Sequence, residues 1–218
     1  MVKKLYLTRH AQAEHNVASD WSIPDAKLTP LGQKQSRELN ELTKDTFQRT
    51  AQLIVCSPLL RPMETMLLGY PSLMKRLEGE GKPVIITDLL QEVNSTPCDV
   101  PTYPPSAIKE ALGGIFKDLD FSGLGEGYAT KKGIWDPANV EERCRKVRKM
   151  LNEREEEEIV VVAHGDILRQ LVDGDGSRRP WGNAEVKIFT FSEGSHDLVE
   201  VADVDPESET AGPTSGGM

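Results

Sequence analysis

Arg9 and His10 stand side by side at the end of the short apolar run LYLT, near the start of a chain of 218 residues. Polar groups arrive in the same way three more times. Ser57-Pro58 and Arg61 follow AQLIVC, Glu92 follows PVIITDLL with Asp99 a little further on, and His164-Gly165 follows IVVVA. Two arginines, two histidines and an acid make a complete set for phosphoryl transfer without a metal. The planar guanidinium forks of Arg9 and Arg61 suit phosphoryl oxygens. A neutral imidazole can attack phosphorus and carry the phosphoryl group covalently. A second, protonated imidazole can donate to the equatorial oxygens, where transition-state charge collects. A carboxyl group can protonate the leaving oxygen and then activate water.

Each residue alone also has an ordinary structural reading. Arg61 could pair with Glu64 one turn along a helix, and His10 could be a hydrogen-bonded core histidine. His164-Gly165 is a strand-to-helix turn, whose backbone favours an anion. His15 reads as a loop residue and His196 as part of a late hairpin turn, neither with a role. Glu14, Asp25 and Asp166 read as loop or cap residues. What lifts the set above these readings is its common position, because ligands of open α/β sheets bind beyond the carboxyl ends of the strands.

The elements that must do this positioning follow from pattern. KKLYLT reads as a strand, and QAEHNVASDWSIPDAK as a polar loop. LTPLGQKQSRELNELTKD reads as a helix, with Thr29 as N-cap and Pro30 at its first position. AQLIVCSP is a strand stopped by Ser57-Pro58, RPMETMLLG a helix stopped by Gly69, and PVIITDLL a third strand. SAIKEALGGIFKDL is expected to be helical despite its glycines. DPANVEERCRKVRKMLNEREEEE is expected to be one long helix capped by Asp136, with Val140, Cys144, Val147 and Leu151 on its buried face. IVVVAHGDILRQLV is a strand, a His-Gly turn and a helix, and EVKIFTF and DLVEVADV close the chain as a hairpin. QLIVC and IVVVA lack polar alternation, as central strands covered on both faces do. The expected fold is therefore α/β, a three-layer sandwich with a mostly parallel central sheet between helices. The expected organisation is one domain over residues 1–202, with 93–135 as a variable lid and 203–218 as a disordered acidic tail.

Bulk properties narrow the partners. The net charge of −9 disfavours nucleic acid and anionic membrane. No apolar stretch is long enough to span a bilayer, and the apolar patch after Lys3-Lys4 is too short for a signal peptide, so a cytoplasmic location is expected. The cysteines, Cys56, Cys98 and Cys144, are odd in number and carry no CxxC spacing, which argues against disulfides and zinc. His10, His164 and Glu92 as metal ligands form the least favoured reading, because Arg9 and Arg61 would crowd a divalent cation. No cofactor is expected. The partner implied is a small phosphorylated molecule, and the sequence carries no signal of oligomeric state.

With these residues in hand, the chain resembles the histidine phosphatase superfamily, of phosphoglycerate-mutase-like fold. LYLTRHAQAEHN is similar to that family's Arg-His-Gly signature and following asparagine, here Asn16, with Ala11 in the place of the glycine. LTPLGQKQ resembles its Leu-Thr-x-x-Gly segment, CSPLLRPMET its Ser-Pro-Leu-x-Arg-x-x-x-Thr segment, VVAHGDILRQL its second-histidine block and WGNAEVKIFTF its late Asn-x-x-Val strand. The matches run in the family's order over residues 3 to 191, and the region around KKGIWDP looks most like fungal members. The resemblance implies His10 as the phosphorylated nucleophile, with Arg9, Arg61 and His164 holding the phosphoryl group and Gly165 beside them. It implies Glu92 as proton donor, with Asp99 as the reserve, and Asn16 as an added hydrogen bond at the pocket.

Three functions are carried forward. The first is a phosphomonoester phosphatase. It is preferred to a phosphoglycerate-type mutase because 93–135 lacks the clustered cations that an acidic phosphoglycerate would need. The second is a non-catalytic module binding a phosphorylated ligand or a protein, and the third is the metallohydrolase. Tyr103, Phe116, Phe121, Tyr128 and Trp135 are candidates for an apolar wall around the leaving group.

Overall fold

A computed structural model describes residues 2–82 and 84–201 of the chain; the tail expected at 203–218 lies outside the described residues. Six strands form one sheet: β1 (Lys4–Arg9), β2 (Leu53–Cys56), β3 (Ile85–Ile86), β4 (Glu158–Ala163), β5 (Val186–Phe191) and β6 (Leu198–Glu200). Their order is β3-β2-β4-β1-β5-β6. β1 to β4 pair in parallel, while β5 runs antiparallel to both β1 and β6. β1, β2 and β4 therefore end together at one edge.

Successive side chains of a strand face opposite sides, and both sides here are apolar. Tyr6, Ile54, Cys56, Val160 and Val162 join one core, with Leu39, Met63, Met66, Tyr70, Leu73 and Leu77. Those partners come from α2 (Pro30–Thr43), α3 (Leu60–Gly69), α4 (Pro71–Gly79) and, for Tyr70, the junction of the last two. Leu5, Leu7, Leu53, Val55, Val161 and Ala163 join a second core, with Cys144, Val147, Leu151, Ile167, Leu168 and Leu171. These come from α6 (Val140–Asn152) and α7 (Gly165–Asp173). Helices on both faces account for the uninterrupted apolar strands and give the three layers expected. Thr29 caps α2, its hydroxyl accepting from the Gly32 amide at 3.0 Å, and Asp136 caps the turn that leads into α6, accepting from Ala138 N at 2.9 Å.

Several elements depart from expectation. The segment read as loop contains the short helix α1 (Glu14–Ala18). α4 continues directly from α3 after Tyr70, with Pro71 at its first position, and the sequence reading had no element there. The third strand keeps only Ile85 and Ile86. Thr87 N still donates to Cys56 O, but the Thr87 hydroxyl accepts from Leu89 N and starts a 3₁₀ turn. The helix expected over 106–119 is not formed. Leu112 and Gly113 take left-handed conformations, with φ of 52° and 77°, inside the single turn α5 (Ala111–Gly114). The long helix stops at Asn152, before the acidic run, where packing against the sheet ends. Phe116, Phe121 and Tyr128 are buried in the first core with Ile108 and Leu124, so most of 93–135 pads the sheet rather than standing free.

Candidate active site

The edge where β1, β2 and β4 end holds a cavity of about 320 Å³ lined by Arg9, His10, His15, Asn16, Trp21, Arg61, Glu92, Asn94, Thr96, Asp99, Gly165, Asp166 and Arg169. The four strand-end deliveries thus converge, within the size range of small-ligand pockets.

His10 is the first residue past β1. Its amide continues the ladder by donating to Ala163 O, and its ring is 2 % exposed. Nδ1–H donates to the carbonyl of Ala11 at 2.7 Å, which leaves the lone pair on Nε2; that atom accepts from Arg61 Nε at 3.2 Å. Burial, then the guanidinium charges of Arg61 and Arg9, hold the imidazole well below its usual range, so it is neutral. Ala11 is not among the described residues with positive φ, so its methyl brings no backbone strain; its amide donates to Thr65 Oγ1 at 3.0 Å.

Arg61 comes from the first turn of α3 and is fully buried. Its partners are the Cys98 carbonyl at 2.6 Å and Asp99 Oδ1 at 2.9 Å, not Glu64. Glu64 instead accepts from Leu28 N at 2.9 Å, and burial lifts its carboxyl to about 7. The other oxygen of Asp99 accepts from Thr96 Oγ1 at 2.6 Å, so both of its oxygens are engaged. Arg9 donates one Nη to Trp181 O, while its buried Nε has no partner within the protein. That Nε lies beside Gly165, where an added Cβ would stand 3.4 Å from it and 3.3 Å from Arg169 Nη2. Glycine here leaves room for two guanidinium groups.

His164 lies behind His10, the ring centroids 5.3 Å apart, and is completely buried without lining the cavity. Its Nε2 and Ser57 Oγ are 2.8 Å apart, and its Nδ1 has no partner. Burial and the nearby Arg61 hold it neutral as well, so the protonated donor expected from the sequence is not its resting form. Glu92 reaches the N-terminus of α7. Its Oε1 accepts from Val93 N and Ile167 N, both at 2.9 Å, and Oε2 from Asp166 N at 3.2 Å. Burial raises its proton affinity, and the carboxylates of Asp166 and Asp99 raise it further. Behind it, the buried ammonium of Lys131 donates to the Glu92 carbonyl at 2.6 Å. Arg143, also buried, approaches the same carbonyl at 3.4 Å.

His15, Asp166 and Arg169 line the pocket although the sequence assigned them no role, unlike Asn16. His15, read as a loop residue, is buried with its ring 5.8 Å from that of His10 and 5.4 Å from that of Trp21. Asn16 donates Nδ2–H to His15 Nε2 at 2.9 Å and accepts from Ala13 N at 3.0 Å, so it orients the imidazole as well as lining the pocket. Burial lowers His15 to about 4. Arg169, at the rim, pairs with Asp166, which also accepts from Asn94 Nδ2 at 3.3 Å. A cue existed for each: Asn16 adjoins His15, and Asp166 and Arg169 share a helix face at i, i+3. None of Tyr103, Phe116, Phe121, Tyr128 and Trp135 lines this cavity, so the expected aromatic wall is not built from them; the core claims three of the five outright. His196 is in the β5–β6 turn, where Asn152 Nδ2 lies 2.9 Å from its ring, remote from the cavity as expected. Among the described residues no three His, Cys, Asp or Glu side chains are grouped to hold a metal ion, and no helix is long and apolar enough to cross a membrane.

Comparison with known proteins agrees with this architecture. A probable phosphatase of Schizosaccharomyces pombe is 27 % identical over 173 residues, covering 77 % of this chain and 76 % of its own. A phosphoglycerate mutase-like protein of Arabidopsis thaliana is 26 % identical over 207 residues, covering 80 % and 75 %. Among solved structures, a phosphoserine phosphatase mutant of Entamoeba histolytica with bound phosphoserine superposes with a TM-score of 0.58 at 21 % identity, over 91 % of this chain and 95 % of that one. The family model described as "Histidine phosphatase superfamily (branch 1)" matches residues 5–204, nearly the whole chain, and the protein therefore belongs to that superfamily.

Proposed function

We propose that the protein is a metal-independent phosphatase that hydrolyses a small-molecule phosphomonoester through a phosphohistidine on His10. The observation that carries this reading is the hydrogen bonding of His10. A backbone carbonyl takes the proton of Nδ1, and the unprotonated Nε2 is turned towards a guanidinium at the cavity. In the proposed route the Nε2 lone pair attacks phosphorus, and the bond from phosphorus to the ester oxygen breaks. The leaving oxygen takes its electron pair and the proton of Glu92. Water then attacks the phosphohistidine and loses a proton to the Glu92 carboxylate, and the P–N pair returns to Nε2. Arg9, whose Nε lacks a protein partner, and Arg61 stabilise the equatorial oxygens, with the Gly165 turn beside them. His164 backs His10 and donates once a phosphoryl dianion has raised its proton affinity.

Glu92 is preferred to Asp99 as the donor. Asp99 spends one oxygen on Arg61 and the other on Thr96, whereas Glu92 has raised proton affinity and meets only backbone amides. Of the 93–135 segment, Asn94, Thr96 and Asp99 reach the cavity, which supports a part in substrate choice for its first residues. The engaged state of Arg61 and Arg169 favours hydrolysis over mutase chemistry, because among the described lining residues this leaves Arg9, which the phosphoryl group takes, and no further unpaired cation for a phosphoglycerate carboxylate.

The test is turnover of 4-nitrophenyl phosphate in EDTA by the wild type and His10→Ala, with intact-mass measurement of a phosphorylated intermediate. The wild type is expected to be active and to acquire one phosphoryl group at His10. The variant is expected to lose activity by about 10³-fold or more. Undiminished turnover by His10→Ala overturns the reading.

A further inference from the structure

Four rings stand in a row from the sheet to solvent. His164 and His10 are 5.3 Å apart, His10 and His15 5.8 Å, and His15 and Trp21 5.4 Å, centroid to centroid. The row begins completely buried at His164 and ends at Trp21, whose side is half exposed. Trp21 is not a loose surface residue. Its carbonyl accepts from Cys98 N at 3.2 Å, and a few residues on Asp25 N donates to Pro97 O at 3.2 Å, so the chain carrying the indole is fastened to the segment that holds Arg61. His15 is fixed by Asn16 at Nε2, which puts its proton on Nδ1, a buried donor with no partner in the protein.

The charges around this row are already matched. Arg61 is bound to Asp99, and Arg169 to Asp166. Among the described residues, Arg9 is the lining cation without a carboxylate partner at ion-pair distance, and it is the one beside the phosphoryl position. A second anionic group on the substrate would meet the Asp166 carboxylate at the rim, and among the described residues Arg169 there is already engaged by it. It would also approach a neutral imidazole, since burial keeps His15 uncharged at physiological pH.

We propose that His15 and Trp21 are specificity-determining residues, forming a wall that selects phosphomonoesters whose leaving group is an uncharged planar ring and rejects phosphorylated acids. The assignment rests on the phosphatase reading above and names the substrate class of that site. With the phosphoryl group at His10, the remainder of the substrate extends on the solvent side, where the indole offers a face for stacking. The neutral His15 ring, which also lines the cavity, offers an uncharged edge beside the indole. The cavity, about 320 Å³, has space for a phosphoryl group and a single ring system.

The experiment uses the full chain and compares benzyl phosphate with phosphoserine and 3-phosphoglycerate. All three have aliphatic alkoxide leaving groups, so leaving-group reactivity does not decide the ranking. The wild type is expected to favour benzyl phosphate by about tenfold or more in kcat/KM, mostly through KM. Trp21→Ala should lower the ratio of benzyl phosphate to phosphoserine by about 5- to 10-fold, and Trp21→Phe should restore most of it. A parallel arm measures binding of benzylphosphonate and 3-phosphonopropionate by calorimetry. Because phosphonates are not hydrolysed, this arm reads the wall whether or not the chain turns over esters. Absence of hydrolysis with a retained ring preference would refute the phosphatase reading alone. Preference for the acids, or a ratio unmoved by Trp21→Ala, would overturn the wall.

Discussion

The inner and outer halves of the cavity are built on different principles. In the inner half, His10, Arg61 and Glu92 are buried, and much of their hydrogen bonding is to backbone: Ala11 O for His10, Cys98 O for Arg61, and the amides of Val93, Asp166 and Ile167 for Glu92. Backbone partners come from the loop after β1, the 3₁₀ turn Pro97–Asp99 and the N-terminus of α7, so they hold as long as the fold does. In the outer half, Asp166, Arg169 and Asn94 meet through side chains, and the charged pair is partly solvated, while the Trp21 ring touches that of His15. Such pairs are individually weak and screened by salt. The inner half is tied to the fold, while residues of the outer half can be exchanged at little cost to it.

The sharpest way to break that contrast is at Arg61. Arg61→Ala removes a donor to His10 and leaves Asp99 as a buried charge without its partner. Losing one partner of a buried pair costs about 3–5 kcal/mol, and in the proposed route the lost donor costs about 10²–10³-fold in kcat. Denaturant unfolding together with kcat/KM checks both. Arg61→Lys is expected to recover little of either, since one ammonium cannot reproduce a fork that reaches three acceptors. A variant as stable as the wild type would mean that the inner half is not held by this pair.

Gly32 comes next and acts from outside the cavity. Its Cβ position lies 2.0 Å from the carbonyl oxygen of Gln12, two residues past His10. Thr29 N donates to the same carbonyl at 3.1 Å, and Gln35 accepts from Gln12 N at 2.9 Å, so α2 is docked on the loop after His10 at backbone contact. Gly32→Ala must part them. It is expected to destabilise by about 1–3 kcal/mol and to lower kcat with it, measured by the same two assays.

These residues also show what could be read from sequence. Arg9, His10, Arg61, Glu92 and His164 were legible because each ends an apolar run or opens the helix after it. Parallel topology then brings such ends together without any knowledge of side-chain contacts. Gly32 was visible as part of a segment, but its reason, an approach of 2.0 Å to another loop, exists only in three dimensions. His15 and Trp21 were missed because a polar, turn-rich stretch gives no periodicity, and α1 is too short to supply any. The helix expected at 106–119 failed for a different reason. Ile108, Phe116 and Leu119 are buried by tertiary packing of a chain broken at Leu112-Gly113, where the weakened middle gives way.

Lys131 extends the inner half backwards. Burial, with Arg143 beside it, holds its ammonium down to about 8. The unfolded chain keeps the extra proton up to the ordinary lysine value, so across the interval between about 8 and 10.4 the unfolded state binds more protons. This group therefore makes stability rise with pH over that window. Buried groups such as Cys144, raised to about 11, pull the other way. The readout is accordingly a difference: between pH 8 and 10 the wild type should gain on Lys131→Met, by on the order of 2 kcal/mol. Parallel unfolding curves for the two proteins would show that the lysine is not held in this state.

The smallest expected effect joins the two halves. Asp166→Asn keeps the amide that donates to Glu92 and removes only a rim charge. The Asp166 carboxylate is the second cause, after burial, of the raised proton affinity of Glu92, so its loss should lower that affinity. Arg169, released from its partner, acts in the same direction. A proton donor works only while protonated, so the alkaline limb of kcat/KM against pH should move to lower pH. At the same time the freed guanidinium gives an anionic leaving group a place to land, and turnover of phosphoserine relative to benzyl phosphate should rise. Stability should change by no more than about 1 kcal/mol. A limb that stays in place would remove Glu92 as the donor, whereas a limb that moves without any change in substrate ratio would show that the rim pair does not govern what enters.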